Sequence, residues 1–181
     1  IVHGTWKEGT NTLGRYSTFA DNVNMASDVT TVAVALPGYS DSSENVLKSI
    51  GNKEVKSRST TKEYVEFMST LVQDLKEKYN ATNVTYIGHS AGASLGSAVV
   101  GYKPGIVNNL VAVGGSYGYT KKNPDRVTMM TNLENIDPAT NIVLVYGTAD
   151  KISKPEIHTK FYDFVKDKGL NVKLVKVEGA P

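Results

Sequence analysis

The 181 residues contain no cysteine. That excludes disulfides, thiolate nucleophiles and cysteine-bound zinc. It leaves the compartment open, because secreted proteins also lack cysteine, and both a cytoplasmic and a secreted location stay on the table. Histidine is scarce as well: His3, His89 and His158 are the only three. No apolar run approaches the ~20 residues needed to span a bilayer, so no membrane span is expected. An excess of one charge is missing too. Lys and Arg number 20 against 18 Asp and Glu, a net charge of +2, which is too little to argue for nucleic acid or an anionic membrane as partner. The basic stretch "KEVKSRSTTK" is not interleaved with aromatics and reads as a solvated loop leading into a helix. Metal-ligand spacing and a phosphate-binding glycine loop are both absent, so no metal and no organic cofactor is expected.

What is present alternates. "IVHG" is the stub of a strand, "GRYSTFADNVNMAS" can form a helix, and "VTTVAVAL" reads as a buried strand stopping at Pro37-Gly38. In "TTKEYVEFMSTLVQDLKEKY" the apolar residues Tyr64, Phe67, Met68, Leu71, Leu75 and Tyr79 share one helix face, with Thr60 and Glu63 as the expected capping box. "NVTYIG" is a strand, "SAGASLGSAVVGY" a small-residue helix, and "NNLVAVGGS" and "NIVLVYG" two further strands. A helix follows in "SKPEIHTKFYDFVKDKG", with a capping box from Ser153 and Glu156, Pro155 in its first turn, Gly169 at its end, and Ile157, Phe161, Phe164 and Val165 facing inward. "LNVKLVKVEG" is the last strand. Such alternation predicts an α/β fold, a mostly parallel sheet with helices on both faces, formed by a single domain over residues 1–181. The abrupt start on "IVHG" reads as a strand already under way, so the chain is expected to be trimmed at that end.

In such a sheet the strand C-termini meet at one edge, where ligands bind. That edge collects "HGTWKEG", "PGYSDS", "GHSAG", "GGSYGY" and "GTADKI". "GHSAG" fits Gly-x-Ser-x-Gly between a strand and a helix. A nucleophilic serine there must sit on a sharp turn, so the residues two before and two after it must lack bulky side chains, as Gly88 and Gly92 do. The helix N-terminus adds partial positive charge beside Ser90, and the Ala91 amide would point at a developing oxyanion. In "HGTW" the tight turn at Gly4 would bring a second amide, from Thr5 or Trp6, to the same spot. His3 is expected to shape this loop rather than act as a base. Trp6 is either a wall of the acyl pocket or ordinary core. Asp150, just past the strand "NIVLVYG", can orient an imidazole and stabilise its protonated form. Asp163 and Asp167 fall on the exposed side of a helix, and Asp125 and Asp137 in loops.

Taken together, "VHGTW", "LPGYSDS", "IGHSAGA", "VYGTADKI" and "VEGAP" resemble the α/β-hydrolase superfamily, esterase/lipase type, in the family's order and along the whole chain. The resemblance implies a Ser-His-Asp triad in the chain order Ser, Asp, His and an acyl-enzyme reaction on a small-molecule ester. Ser90 takes the place of the nucleophile and Asp150 that of the acid. Thr5 or Trp6, with Ala91, supplies the oxyanion hole. The departure lies in the histidine, which in the family follows the last strand. Here "NVKLVKV" runs into "EGAP", so the catalytic histidine is expected just beyond Pro181; the competing reading is a histidine-less form with only residual activity. His89 diverges from the neighbouring Ser90 and is placed in the substrate pocket, and His158 is expected on the solvent side of its helix. Tyr39, Tyr117 and Tyr119, at strand ends, could line the cleft or lie on the surface. The short span around "DRVTMMTNLEN" leaves room for one short helix and no large lid, which favours small esters; Met129 and Met130 either close over the pocket or pack in the core. A serine peptidase or acyltransferase on the same fold, or a silent binding scaffold, are the alternatives.

Overall fold

The computed structural model describes residues 1–6, 11–39, 50, 58–118 and 125–181. The β-branched runs pair in parallel. β1 (Thr85–His89), β2 (Asn109–Val113), β3 (Asn141–Gly147) and β4 (Val172–Val177) lie side by side in that order. Their register aligns Tyr86, Leu110, Ile142 and Val172 in one row. The opening stub extends the sheet: Val2 bridges Gly88 on one side and Val34 on the other, both in parallel. "VTTVAVAL", expected as a buried strand, forms only the bridge at Val34, and most of it is half-buried. Among the described residues its strand neighbour is the short opening segment, which supplies too few residues for a ladder.

Among the described residues four α-helices complete the layers. α1 (Thr12–Ser27) is capped by the Asn11 side chain, which accepts from the Gly14 amide at 3.0 Å. Among the described residues the α1 backbone comes close to no other helix and to none of the four strands, and α1 reaches β1 through the side chains of Tyr16 and His89. α2 (Lys62–Lys78) is capped by Thr61, not Thr60, whose hydroxyl accepts from the Tyr64 amide. Its buried stripe runs through Tyr64, Val65, Met68, Ser69 and Val72, whereas Tyr79 is exposed. The stripe is turned toward Val65 and Val72 because α2 packs on α3 (Ala91–Tyr102). α3 is buried from Gly92 to Gly101, with β1 and β2 on its other side. Its small residues let it sit that close: a β-carbon on Gly96 would come within 2.2 Å of the Tyr86 ring.

α4 (Pro155–Asp167) packs on β3 and β4. Its inward face is His158, Phe161 and Val165, while Ile157 and Phe164 are exposed. The expected capping box does not form, because the Ser153 hydroxyl donates to the Gly115 carbonyl at 2.6 Å and Lys154 is the N-cap. His158 turns the helix inward. Its ring stacks on Tyr146 at 5.5 Å and meets Tyr117 edge-on at 5.6 Å. The expected short helix is a 3-10 turn, Met130–Asn135, and Met129 before it is fully buried, so this methionine packs in the core rather than over a pocket. No helix of the described residues is long and apolar enough to cross a membrane.

Candidate active site

β1 ends at His89 and α3 begins at Ala91, so Ser90 makes the whole connection. Its φ of 53° and ψ of −114° lie where a side chain other than glycine's is strained, at a typical cost of ~1–3 kcal/mol. The surroundings impose it. The Ser90 amide donates to the Val113 carbonyl at 2.8 Å, and the Ser90 carbonyl accepts from the Ser94 amide at 3.0 Å. A β-carbon on Gly88 would lie 2.4 Å from the Gly92 carbonyl oxygen, and one on Gly92 would lie 2.4 Å from that of Val2. Strand, turn and helix are therefore pressed together as the glycine spacing requires. The Ser90 hydroxyl makes no helix-capping bond, so it is not spent on holding the turn.

The opening loop runs against this turn. A β-carbon on Gly4 would stand 2.8 Å from Cβ of Ser90. His3 pins the loop from behind: it is buried, its Nε2 accepts from the Leu36 amide at 2.8 Å, and its Nδ1–H donates to the Gly4 carbonyl at 2.7 Å. Thr5 and Trp6 follow, both exposed. Trp6 is thus not core. Its ring meets Tyr16 edge-on at 6.4 Å, with the Arg15 guanidinium 4.8 Å above it. Ala91 is the first residue of α3, so its amide has no acceptor within the helix.

Asp150 approaches from the next strand but one. Its Oδ1 accepts from the amides of Ile152 and Ser153, each at 2.8 Å. Its Oδ2 lies 3.6 Å from where a β-carbon of Gly114 would stand. Gly114 directly follows Val113, whose carbonyl holds Ser90. Ser90 and Asp150 therefore flank the same two residues at the end of β2. The segment after β4 folds back to this point: the Thr148 amide donates to Val177 at 3.1 Å and the Ala149 amide to Ala180 at 2.9 Å.

The three histidines sit in different surroundings. The nitrogens of His3 are both engaged, as above. His158 is fully buried, against the expectation of a solvent-side position. The Ser153 hydroxyl donates to the Gly115 carbonyl, so it accepts from His158 Nε2–H at 3.0 Å, and His158 Nδ1 faces the Tyr117 hydroxyl at 3.4 Å. His89 is exposed, and its Nδ1 lies 2.7 Å from the Tyr16 hydroxyl. Desolvation holds all three below the ordinary imidazole pKa, while Asp150 pulls His89 and His158 the other way.

The expected aromatic cleft is not assembled as drawn from sequence. Tyr117 is 1% exposed and stacks on Phe161 at 4.8 Å, so it belongs to the core. Tyr39 is half-buried, meets Tyr64 edge-on, and its hydroxyl accepts from the Ser59 amide at 2.9 Å, which makes it a loop brace. Tyr119 lies outside the described residues. No cluster of three or more metal-ligating side chains occurs among the described residues. Tyr16, which sequence reasoning passed over, sits beside Gly4, Trp6 and His89; a lone tyrosine in a helix of mixed polarity carried no signal that set it apart.

Solved structures share this fold. Esterase PE8 superposes with a TM-score of 0.68 at 15% identity, over 99% of this chain and 81% of that one. ATU1826 of Agrobacterium tumefaciens, a protein of unknown function named as a candidate α/β-hydrolase, gives 0.64 at 11% identity, over 99% and 73%. This chain has the α/β-hydrolase fold. The acylaminoacyl peptidase of Pyrococcus horikoshii also matches, with a TM-score of 0.68 at 13% identity over 99% of this chain, though over only 32% of that larger one. No protein-family model and no curated protein matches the sequence.

Proposed function

We propose that this α/β-hydrolase domain, taken as one unit over residues 1–181 with no large lid, is a serine hydrolase that cleaves small carboxylic esters through an acyl-enzyme. The observation that carries the reading is the strained backbone of Ser90, at φ 53° and ψ −114°, held with its hydroxyl uncommitted beside the Gly4 loop. Strain of this kind persists where the surroundings over-determine it, typically at functional sites. A silent scaffold has no use for it, and glycine there would remove it.

In the proposed reaction Ser90 Oγ attacks the ester carbonyl carbon and its proton passes to a base. The oxyanion forms between the Ala91 amide and that of Thr5 or Trp6. Collapse expels the alcohol with the proton from the base, and water then releases the acid by the reverse sequence. Asp150 orients the base through Oδ2, since Oδ1 is occupied by two amides. We assign the base to a histidine reached just beyond Pro181. Supporting this, Val177 and Ala180 accept from the amides of Thr148 and Ala149, next to Asp150, while both ring nitrogens of His3 are engaged, His158 is fully buried, and His89 Nδ1 faces the Tyr16 hydroxyl. A p-nitrophenyl ester series of increasing acyl length tests the function. Turnover greatest for the short esters, and lost in Ser90→Ala, is expected; turnover that Ser90→Ala leaves unchanged would contradict the assignment.

A further inference from the structure

The hydroxyl of Tyr16 touches both the Gly4–Trp6 loop and His89 beside Ser90. It accepts from the Gly4 amide at 3.4 Å and from Trp6 Nε1–H at 3.3 Å. With those two donors aimed at its oxygen, its own proton needs an acceptor. The acceptor is His89 Nδ1, at 2.7 Å the shortest of the three contacts. A neutral imidazole has one protonated and one bare nitrogen. Since Nδ1 receives the Tyr16 proton, the proton of the ring sits on Nε2. The rings of His3, Trp6 and His89 surround Tyr16 with centroids 6.0, 6.4 and 6.2 Å away.

We propose that Tyr16 is a positioning residue: its hydroxyl couples the Gly4–Trp6 loop to the Ser90 turn and fixes His89 as an Nε2–H hydrogen-bond donor at the mouth of the site. Resting on the serine-hydrolase reading, it adds a residue and a role that the motifs did not contain. Three features support it. Gly4 is in close contact with Ser90, so a displaced Gly4 moves the loop that carries the second oxyanion amide. The backbone of α1, which carries Tyr16, comes close to no other helix and none of the four strands among the described residues, so the Tyr16 side chain, reaching His89 at the end of β1, is a main tie between α1 and the site. His89 adjoins Ser90 in sequence, and its bare nitrogen is occupied, which makes it a donor to substrate oxygen rather than a competing base. Arg15 above Trp6 braces the outer side of the same cluster.

Two readouts on the full chain test this. Long-range proton–nitrogen NMR of the wild type should show His89 as the Nε2–H tautomer. Tyr16→Phe, which keeps the ring and removes the hydroxyl, should leave His89 exchanging between tautomers. It should also slow labelling of Ser90 by a fluorophosphonate about tenfold, a smaller loss than the ~100-fold typical of deleting an oxyanion donor. Ser17→Ala, on the same helix and bonded only to the Gly14 carbonyl, should change neither. A wild-type His89 protonated at Nδ1, or unchanged labelling in Tyr16→Phe, overturns the inference even if that variant is less stable. No labelling of the wild type sinks the serine-hydrolase reading, and this inference with it.

Discussion

Ser90 and His158 show how single residues are used in opposite ways. Ser90 is held in a conformation its side chain disfavours, and glycine would occupy it without penalty. Ser90→Gly is therefore expected to stabilise the fold by about 1 kcal/mol while abolishing labelling. Urea unfolding decides this; a lower midpoint for Ser90→Gly would show that the turn is not strained. His158 is the converse, a titratable group used as packing. It fills a slot between Tyr117 and Tyr146 and hydrogen-bonds Ser153, which in turn anchors Gly115. His158→Ala leaves a cavity and is expected to cost about 2–4 kcal/mol. A loss under 0.5 kcal/mol, the usual range of a surface change, would contradict the burial. This role was hidden from sequence reasoning, because the periodicity of "PEIHTKFYDFVKD" supports more than one inward face. The aromatic slot that selects among them is built from Tyr117 and Tyr146, far away in the chain.

Between elements, the decisive contact is the approach of α3 to the first strand segment. Gly92 faces the carbonyls of Val2 and His3, and a β-carbon there would stand 2.4 Å from the nearer oxygen. Backbone on both sides leaves nothing flexible to give way, so Gly92→Ala is expected to cost about 1–3 kcal/mol and to slow Ser90 labelling together with it. Gly118→Ala is the control, since a β-carbon there meets nothing within 4 Å among the described residues; equal unfolding midpoints for the two variants would refute the argument. The elbow was legible in "GHSAG" because its chemistry and its steric demand fall on adjacent residues. Strand identity was legible too, from four β-branched runs that now pair in order. "VTTVAVAL" was overread. Its composition suits a strand, but ladder length depends on the neighbour, and its neighbour is three residues of "IVH". The expected helix caps shifted: α2 is capped one residue later, by Thr61, and the α4 cap was lost because Ser153 had a better partner in space, the Gly115 carbonyl.

For the molecule as a whole, acid should be destabilising in a window set by imidazoles. Burial lowers the pKa of His3 and His158 below the ordinary 6.5. The unfolded chain then binds protons that the folded chain refuses, so stability is fully present above about pH 6.5 and falls as pH drops through the folded values. Thermal or urea midpoints measured from about pH 7.5 down to pH 5 should fall; a flat or rising profile would mean that neither ring is held neutral by burial. Tyr39 and Tyr117 mark the limit of reading a site from strand ends: both stand at that edge of the sheet, yet one braces a loop and the other joins the core. Ser90 and Asp150 do flank Val113 and Gly114 there, and Gly4 lies against Ser90. The most direct test of that convergence is covalent capture of the nucleophile, with a fluorophosphonate adduct mapped by peptide mass spectrometry. The account predicts a single adduct on the peptide containing Ser90, absent in Ser90→Ala and slowed in Asp150→Asn. An adduct on another residue, or equal labelling of Ser90→Ala, would contradict it.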